Sequence, residues 1–394
     1  MVDINKPLIL SVIRRQHDLV KWEGAWNALA LSSPQQSPML GYAWVAAFLQ
    51  HCVPAHTSWL VITAVRNGQL VGVLPVVVRP VRVLGLARTQ LFTPYDGHTN
   101  SGDLLVANDA GAEVLPQLIA AAFAEVPTAV SLTVTRTPEA SLTVAAVSGG
   151  RMPFSSADVD SLGAYLTVPE IFEDYRGGLS RNFRNNLNKS ANKLAKLPDV
   201  GYQFMRGADA AAGELPRLMA VEASSWKGQA GSAIANDPAT IAFYTTLVQN
   251  LAQAGWLEWH FLQADGKTIA GNLAVRFADT VVLWKLGYDE HYSNCSPGGI
   301  LLQELLKRAC EQRDTREINL TTDLPWYDNW QMTRRKYFNV SFVRGNFVAL
   351  AGVWFPAALR RAAKKNALAR RIVDAIRARR SAQPATAAKP DPET

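Results

Sequence analysis

The stretch Val281–Gly299, VVLWKLGYDEHYSNCSPGG, constrains the fold of this chain more than any other. Its apolar run, which ends at Lys285–Tyr288, predicts a buried strand, and a short polar loop follows. In the next segment, ILLQELLKRAC, apolar residues recur at helical spacing: Leu301, Leu302, Leu305, Leu306 and Ala309. The sequence therefore predicts a strand, a glycine-rich turn and a helix.

The turn has the composition of an anion-binding helix start. Ser296 suits the N-cap, Pro297 suits the first helical position, and glycines let a ligand approach the backbone. Free N–H groups and the positive end of the helix dipole point the same way, so residues 296–300 (Ser296, Pro297, Gly298, Gly299 and Ile300) predict a phosphate site. The alternative is a plain strand–helix connection. The turn matches neither G-x-G-x-x-G nor the P-loop, which argues against an NTPase.

Length and composition set the class of the protein. A chain of 394 residues with 48% hydrophobic and 19% charged residues predicts two globular domains and a tail. The three cysteines and six histidines lack metal-binding spacing, so no metal is expected, and the few cysteines favour a reducing compartment. The N-terminus lacks a signal-peptide core, and the apolar run 347–359 is shorter than the roughly 20 residues that span a bilayer. We therefore expect a cytoplasmic protein.

The positive charge lies in the tail. Residues 357–394 contain ten basic and three acidic side chains, which accounts for the net charge of +7 of the whole chain. With a thin apolar stripe, this segment predicts a basic amphipathic helix on an anionic membrane surface, followed by a disordered end from Ser381. The alternative is a solvated helix packed on its own domain. No nucleic acid is expected as a partner, because the segment lacks aromatic residues.

Helical and strand patterns occur twice along the chain, each time as helices, a hairpin, and then alternating helix and strand. The two hairpin turns are Asn67-Gly68 and Asp265-Gly266. A helix is predicted over Ile171–Leu197 and strands near Tyr337–Phe342 and Phe347–Val353. The Gly- and Ser-rich stretch Ser148–Gly163 predicts a domain boundary. The predicted domains are therefore 1–148, 149–356 and 357–394.

Four segments carry a family resemblance: LSRNFRNNLNKSANKL at 179–194, SWK at 225–227, IAGNLAV at 269–275 and WKLGYDEHYSNCSPGGILLQELL at 284–306. Together they resemble the CelD/BcsL-type acyltransferases, a GNAT branch associated with cellulose and other exopolysaccharide biosynthesis and similar in layout to FemAB aminoacyltransferases. The resemblance implies an α+β fold of tandem GNAT-like modules. It also implies acetyl or longer acyl transfer from acyl-CoA to an amine of a saccharide or lipid-linked saccharide. One departure is Asn294, where the common pyrophosphate loop begins with Gln or Arg.

Candidate catalytic residues cluster at the predicted strand end. Asp289 is the first candidate for the general base, with His291 beside it, and Tyr288 could protonate the thiolate. Lys285 lies in an apolar strand, where an unpaired ammonium is costly to bury, so it should face a cleft or a carboxylate. Alternatively, these are surface loop residues, and Tyr288 is a packing aromatic.

Substrate contacts are predicted from a basic helix face and from two further segments. The residues are Arg181, Arg184, Glu222, Lys227 and Asp323. A solvated basic face is the alternative for the first two. The N-terminal half has a polar loop, TPYDGHTNSGD at 93–103, in which Asp96 and His98 could touch a ligand. No glycine-rich helix start follows it, so this half should lack a cofactor site and shape the acceptor groove.

Two other functions stay open at this point. One is a FemAB-like transferase that uses aminoacyl-tRNA as the donor. The other is a non-catalytic GNAT-fold scaffold of a polysaccharide synthase.

Overall fold

The structure is a computed structural model in which residues 6–110, 112–225, 228, 231 and 233–365 are described. Within these ranges, thirteen strands form one mixed sheet. Along its main path the order is β1-β2-β3-β4-β6-β13-β7-β12-β11-β10-β9-β8, and β5 pairs with β3. A sheet of this extent runs through the whole described molecule, so helices on its two faces supply the cores.

The strands have the following bounds: β1 Ile9–Ile13, β2 Ser58–Arg66, β3 Gln69–Val83, β4 Leu86–Phe92, β5 Leu105–Val106, β6 Ala129–Pro138, β7 Ser155–Thr167, β8 Gly201–Arg206, β9 Leu257–Ala264, β10 Lys267–Phe277, β11 Thr280–Tyr288, β12 Glu317–Asn319 and β13 Thr333–Val343.

The helices are α1 Gln16–Leu19, α2 Glu23–Ser32, α3 Tyr42–His51, α4 Val114–Glu125, α5 Leu142–Ser148, α6 Phe172–Gly178, α7 Arg181–Leu194, α8 Leu215–Ala223, α9 Pro238–Gln253 and α10 Pro297–Gln312. At the C-terminal end, α11 Phe347–Ala349 continues through a π-helical turn, Leu350–Trp354, into α12 Phe355–Lys365.

Each half of the sheet has the same sequence of pairings. In the first half β1 to β4 are antiparallel and β4 lies parallel to β6, and in the second half β8 to β11 are antiparallel and β11 lies parallel to β12. A strand that returns parallel requires a crossover helix, which α4 and α10 provide. The fold is therefore a tandem of GNAT-like α+β modules, as the sequence predicted.

The two modules share their central strands. β13, from the end of the chain, pairs with β6 of the first half, and β7 pairs with both β13 and β12. The hydrogen-bond ladder therefore runs without interruption across the proposed boundary at residue 148, and the limits of the domains stay a prediction.

Three predicted elements were wrong. The stretch Ser148–Gly163 is not a loose segment, because most of it belongs to the strand β7. The long helix Ile171–Leu197 is two helices, because Ser180 is extended and its hydroxyl accepts the N–H of Phe183 to begin α7. The strand Phe347–Val353 is helical, since short-range apolar content cannot separate a strand from a packed helix.

Helices cover both faces of the sheet. One core lies under α2, α3, α8 and α9, and it joins both modules because it contains residues from β2, β3, β9, β10 and β11. On the opposite face, α7 and α10 cover the second half, and α4 and α5 cover the first. A single apolar layer thus holds the modules in one fixed arrangement.

A buried charge cluster ties β9 to β10. The Glu258 carboxylate accepts hydrogen bonds from Arg276 Nε at 2.8 Å and NH2 at 3.3 Å, and it lies 3.0 Å from His260 Nε2. Burial alone would raise the pKa of Glu258, but hydrogen bonds and the charges of His260 and Arg276 hold it at about 2. The folded state therefore strongly favours the ionised carboxylate.

We expect Glu258→Gln to lower the free energy of unfolding at pH 7 by about 2 kcal/mol, because charged hydrogen bonds to Glu258 are lost and Arg276 keeps only the longer ion pair with Asp314, at 3.6 Å. In the wild type, this contribution should be complete above about pH 4.5 and should disappear as the pH falls toward 2, since the folded pKa is depressed. Urea unfolding between pH 7 and 3 measures both effects. As a control, Glu304→Gln, at an exposed pair with Arg308, should change stability by less than about 0.5 kcal/mol. Equal effects of the two changes would contradict the prediction.

Candidate active site

The parallel strands β11 and β12 separate in the middle of the second module. They pair only from Thr280 to Val282 of β11, whereas β11 continues to Tyr288 along β10. In β11, Trp284 is an extra residue between two paired positions, which forms a β-bulge. Beyond Val282, no strand in the described chain pairs with the β12-facing edge of β11. A gap with one exposed row of backbone groups therefore opens at this point.

The helix α10 begins next to the gap. Pro297 and the two glycines form its first turn, as predicted, but Ser296 is left-handed, with φ at 47°, and its hydroxyl does not cap the helix. The amides of Gly298 and Gly299 have no hydrogen-bond acceptor within the described part of the chain. Since the start of a helix attracts anions, this uncapped turn is available to one. The prediction that the Ser296 side chain caps the helix was thus wrong, although the predicted start of the helix was correct.

The packing around these glycines does not require glycine. A Cβ on Gly298 would meet only Tyr288 Cδ1 at 3.6 Å, and a Cβ on Gly299 would meet only Ser296 Cβ at 3.9 Å. Both are ordinary contact distances, and neither glycine has a positive φ. Positions 298 and 299 could therefore each hold a residue with a side chain, which shows that the space over the turn is open.

Basic residues of α7 lie beside the same turn. Lys193 Nζ donates to the carbonyl oxygen of Asn294 at 3.2 Å, which brings the basic face of α7 to the loop before α10. Arg184 donates to the carbonyl of Gly177, and Arg181 is exposed at the first position of α7. Of this face, Lys193 is thus the residue in direct contact with the predicted phosphate loop.

Asp289 and His291 lie in the loop between β11 and α10. The Asp289 carboxylate accepts the backbone N–H of His291 at 3.0 Å, as an N-cap of the short 3₁₀ helix Glu290–Cys295. His291 is exposed and packs its ring edge on Tyr292. Tyr288 is partly buried, and burial together with Glu290 raises its pKa, so its phenol stays protonated near neutral pH. The Asp289 carboxylate therefore makes a structural hydrogen bond, which it would keep whether or not it also acts as the general base.

Lys285, also on β11, lies near an aromatic cluster. Its Nζ is 5.2 Å from the ring centre of Tyr244, a residue of α9. Tyr244 is fully buried, which raises its pKa well above the usual value, and its oxygen accepts the Trp284 indole N–H at 3.2 Å. Lys285 thus faces α9, a helix that the sequence did not connect to it.

A loop of the first module completes this cluster. In the 93–103 loop, His98 Nδ1 lies 3.3 Å from the Tyr244 hydroxyl, and Thr99 accepts the indole N–H of Trp44 at 2.9 Å. Trp44 in turn packs edge-to-face on Trp284, with ring centres 5.1 Å apart. Burial and then the charge of Lys285 lower the pKa of His98. His98 is therefore neutral near pH 7 and lies beside the strand that borders the gap.

The three remaining residues predicted to contact the substrate lie in different places. Glu222 is buried at the end of α8, where it accepts the Ile234 N–H at 2.9 Å, and its Cα lies 3.4 Å from the Cβ position of Gly287. It thus lies directly against β11. Asp323 is exposed and accepts a hydrogen bond from Arg334 Nε at 2.9 Å. Lys227 lies outside the described residues.

A cavity of about 780 Å³ lies on the face of the sheet that carries α3 and α9. Its floor is formed by β7, β11, β12 and β13, and its sides are closed by the segment after α2, by Ser101 and by the end of β6. The largest group among its side chains is uncharged and polar: Gln35, Gln36, Ser37, Ser101, Ser141, Thr167, Thr280, Asn319 and Thr321. Arg335 is paired with Glu317, so its charge is balanced.

One buried group in the cavity wall lacks a partner. Gln35 Nε2 donates to the carbonyl of Leu104 at 2.9 Å, but its Oε1 is buried and has no hydrogen-bond donor among the described residues. A buried amide oxygen without a donor is costly, so a ligand hydroxyl or amide would satisfy it. If the amide turned toward the cavity, Oε1 could accept a hydrogen bond from a polar ligand.

Two of these features were not predicted from the sequence. The contact between His98 and Tyr244 joins residues 146 positions apart, and only the packing of the two modules brings them together. The cavity also depends on strand order, because β7, β12 and β13 are distant in sequence. The polar composition of the 93–103 loop was the one available signal.

Comparison with protein families gives one match. Residues 181–328 match the acetyltransferase (GNAT) domain model. A search of curated proteins by sequence found no significant match.

The fold has relatives among solved structures. FemX matches with a TM-score of 0.57 and 9% identity, over 85% of this chain and 97% of that one. A conserved protein of unknown function from Bacteroides thetaiotaomicron VPI-5482 matches with a TM-score of 0.52 and 15% identity, over 85% and 100%. A tandem GNAT protein from the clavulanic acid biosynthesis pathway covers 85% and 98%, with a TM-score of 0.43 and 12% identity. At these identities, the likeness concerns the fold alone.

The matched domain includes the β11–α10 turn, and the fold around it is of the tandem GNAT type. The second module therefore contains a GNAT acetyltransferase domain, and N-acyl transfer is the activity class that this domain supports.

Proposed function

We propose that the chain transfers an acyl group from acyl-CoA to an amine of a saccharide or lipid-linked saccharide, as in exopolysaccharide assembly. The single observation that carries the proposal is the uncapped, glycine-lined start of α10 beside the gap between β11 and β12. A diphosphate at the helix start would place a pantetheine arm along the exposed edge of β11. Acyl-CoA thus fits as the donor substrate.

The two sides of the gap suggest separate donor and acceptor approaches. The α10 start lies on the face covered by α7 and α10, whereas Lys285, Tyr244 and His98 lie with α9 on the other face. The donor would reach the gap from the first face and the acceptor amine from the second. Backbone N–H groups on the gap side of β11 would stabilise the oxyanion that forms when the amine attacks the thioester.

We assign proton removal from the amine to His98. If Nδ1–H donates to the Tyr244 oxygen, which can accept a second hydrogen bond besides that of Trp284, then Nε2 keeps the lone pair of a general base. Its lowered pKa keeps it neutral at physiological pH. Tyr288, near the start of α10, would return a proton to the leaving thiolate. Asp289 is the alternative base.

The cavity supports a saccharide as the acceptor. Hydroxyl and amide side chains are the largest group in its wall, and Gln35 has an unpartnered acceptor. Its two arginines are paired with Glu317 and Asp279, and Glu139 adds one carboxylate. Such a surface favours a neutral, hydroxyl-rich ligand over a charged one. The 93–103 loop connects this cavity, through Ser101, with the cluster around His98.

Calorimetry with acetyl-CoA, followed by an acyl-transfer assay on a panel of amines, tests the proposal. We expect a Kd in the range of about 1–100 µM and faster transfer to amino sugars than to alkyl amines or amino acids. If only charged tRNA binds, the donor is an aminoacyl group. If neither donor binds, the chain is a scaffold.

Gln35→Leu should raise the KM for the amino-sugar acceptor about five- to tenfold and leave the KM for acetyl-CoA unchanged, because one hydrogen bond to the acceptor is lost. Steady-state kinetics with each substrate varied in turn measures the effect.

Gln16→Leu is the matched control. Gln16 likewise donates to a backbone carbonyl, of Ala46 at 3.0 Å, and has an unpartnered Oε1, but it lies outside the cavity wall. An equal rise in acceptor KM in both variants would remove Gln35 from the acceptor site.

A further inference from the structure

One rim of the sheet exposes large apolar side chains. It consists of the β3–β4 turn with Leu84 and Leu86, and of Phe154, Phe347, Phe355 and Leu359, and we name it the apolar rim. The exposed fractions are 58% for Leu84, 80% for Phe347 and 71% for Leu359. Large apolar residues that cluster at a surface mark an interaction site more often than scattered ones do.

The β3–β4 turn is unusual within its own chain. Its two central residues, Leu84 and Gly85, have φ values of 50° and 77°, which is the type I′ hairpin geometry. The turns at Asn67-Gly68 and Asp265-Gly266 have the same left-handed pair and the residues that favour it. A leucine is strained in this conformation and is also exposed, so folding does not explain its presence.

A second strained residue lies at the same rim. Phe154 has φ at 52° just before β7, and its exposed ring packs edge-to-face on Trp354, with centres 5.9 Å apart. Bulky side chains are rare in the left-handed region. Two such residues therefore project apolar groups from the same edge of the molecule.

The C-terminal helix continues this surface. A Cβ on Gly352 would lie 2.2 Å from Val83 Cγ1 and 3.3 Å from Leu84 Cγ, so the π-helical turn rests on the hairpin. One turn further on, Phe355 and Leu359 are four residues apart in α12 and so share a face. Both are exposed, which makes the hairpin and the helix parts of one surface.

Basic side chains flank the apolar rim. Arg82 and Arg88 lie on either side of the β3–β4 turn, and Arg360 lies next to Leu359 on α12. Residues 366–394 add six basic and three acidic side chains by sequence. Exposed apolar side chains flanked by arginines match an anionic bilayer, because the apolar groups can enter the acyl region while the arginines contact the headgroups.

We propose that the apolar rim docks on an anionic lipid bilayer. Leu84, Leu86, Phe355 and Leu359 enter the headgroup boundary, and the arginines contact lipid phosphates. None of the helices in the described ranges has the length and apolar character of a membrane span. This inference is independent of the reaction at β11, because the rim lies at the opposite ends of β4 and β13 from the cavity.

Flotation of the full-length chain with phosphatidylcholine vesicles, with and without phosphatidylglycerol, tests the proposal. We expect binding to the anionic vesicles that falls at least tenfold in 0.5 M salt, because exposed charges are screened. Leu84→Asn should lower the vesicle partition coefficient at least tenfold. Asparagine favours the left-handed turn, so the Tm of this variant should stay equal or rise.

Ile171→Asn is the matched control, since Ile171 is 56% exposed before α6 in the other module and its loss should leave binding unchanged. Failure of the wild type to bind anionic vesicles would overturn the proposal, as would binding by Leu84→Asn equal to that of the wild type. A wild-type dimer in solution that Leu84→Asn dissociates would also overturn it, because the rim would then be a protein interface.

Discussion

Gly298→Glu is expected to weaken acetyl-CoA binding more than 100-fold and to leave the fold intact. The new Cβ would meet only Tyr288 at 3.6 Å, and an acidic residue in the first turn of a helix is favourable for the folded state. The carboxylate would, however, occupy the space over the turn and repel a diphosphate. Calorimetry of binding and thermal unfolding of the same sample separate the two effects.

Two controls accompany this variant. Gly298→Ala adds only a methyl group and should weaken binding far less than the glutamate. Gly213→Glu adds the same charge to an exposed turn before α8, where a Cβ would meet nothing within 4 Å, and should not change binding. A Kd within threefold of the wild type for Gly298→Glu would remove the α10 start from the donor site, and with it the basis of the proposed reaction.

His98→Gln is expected to lower kcat at least 100-fold and to leave the Kd for acetyl-CoA unchanged, since the amine would lose its proton acceptor. In the wild type, kcat/KM should rise with pH through a midpoint below 6.5, because burial and Lys285 lower the pKa of His98 and only its neutral form accepts a proton. In His98→Gln, this rise of kcat/KM with pH should be absent.

Asp289→Asn distinguishes the two candidate bases. Asparagine caps a helix as well as aspartate does, so the contact with the His291 N–H should survive the change. If Asp289→Asn abolishes turnover and His98→Gln does not, the base lies in the β11–α10 loop, as the sequence first suggested. The reverse result places it on the loop of the first module.

The sequence predicted the parts of the site that are local. The strand, turn and helix from Thr280 to Gln312 follow from apolar spacing and from Pro-Gly-Gly, and these patterns extend over a few residues. The tandem GNAT fold followed from the resemblance of four short segments. Local signals of this kind do not depend on how the rest of the chain packs.

The parts that depend on packing could not be predicted. Tyr244 is one of many apolar-face residues of α9, and only the 93–103 loop makes it part of a polar cluster. The left-handed Ser296 violates its expected role as a cap, since a local preference gives way where the loop geometry is set by α7 and β11. The helical segment after Phe347 has strand-like composition, and its contact with the β3–β4 turn stabilises it as a helix.

The length of β13 determines how far a bilayer would lie from the acceptor cavity. Tyr337 lines the cavity and Val343 lies in the small apolar cluster under the rim, and the six steps of strand from one to the other span about 20 Å. A sugar attached directly to a lipid headgroup would be too short to enter. If the apolar rim docks on a bilayer, this distance of about 20 Å favours an acceptor glycan of several sugar units. Its distal end would extend into the cavity while its lipid anchor stays in the membrane.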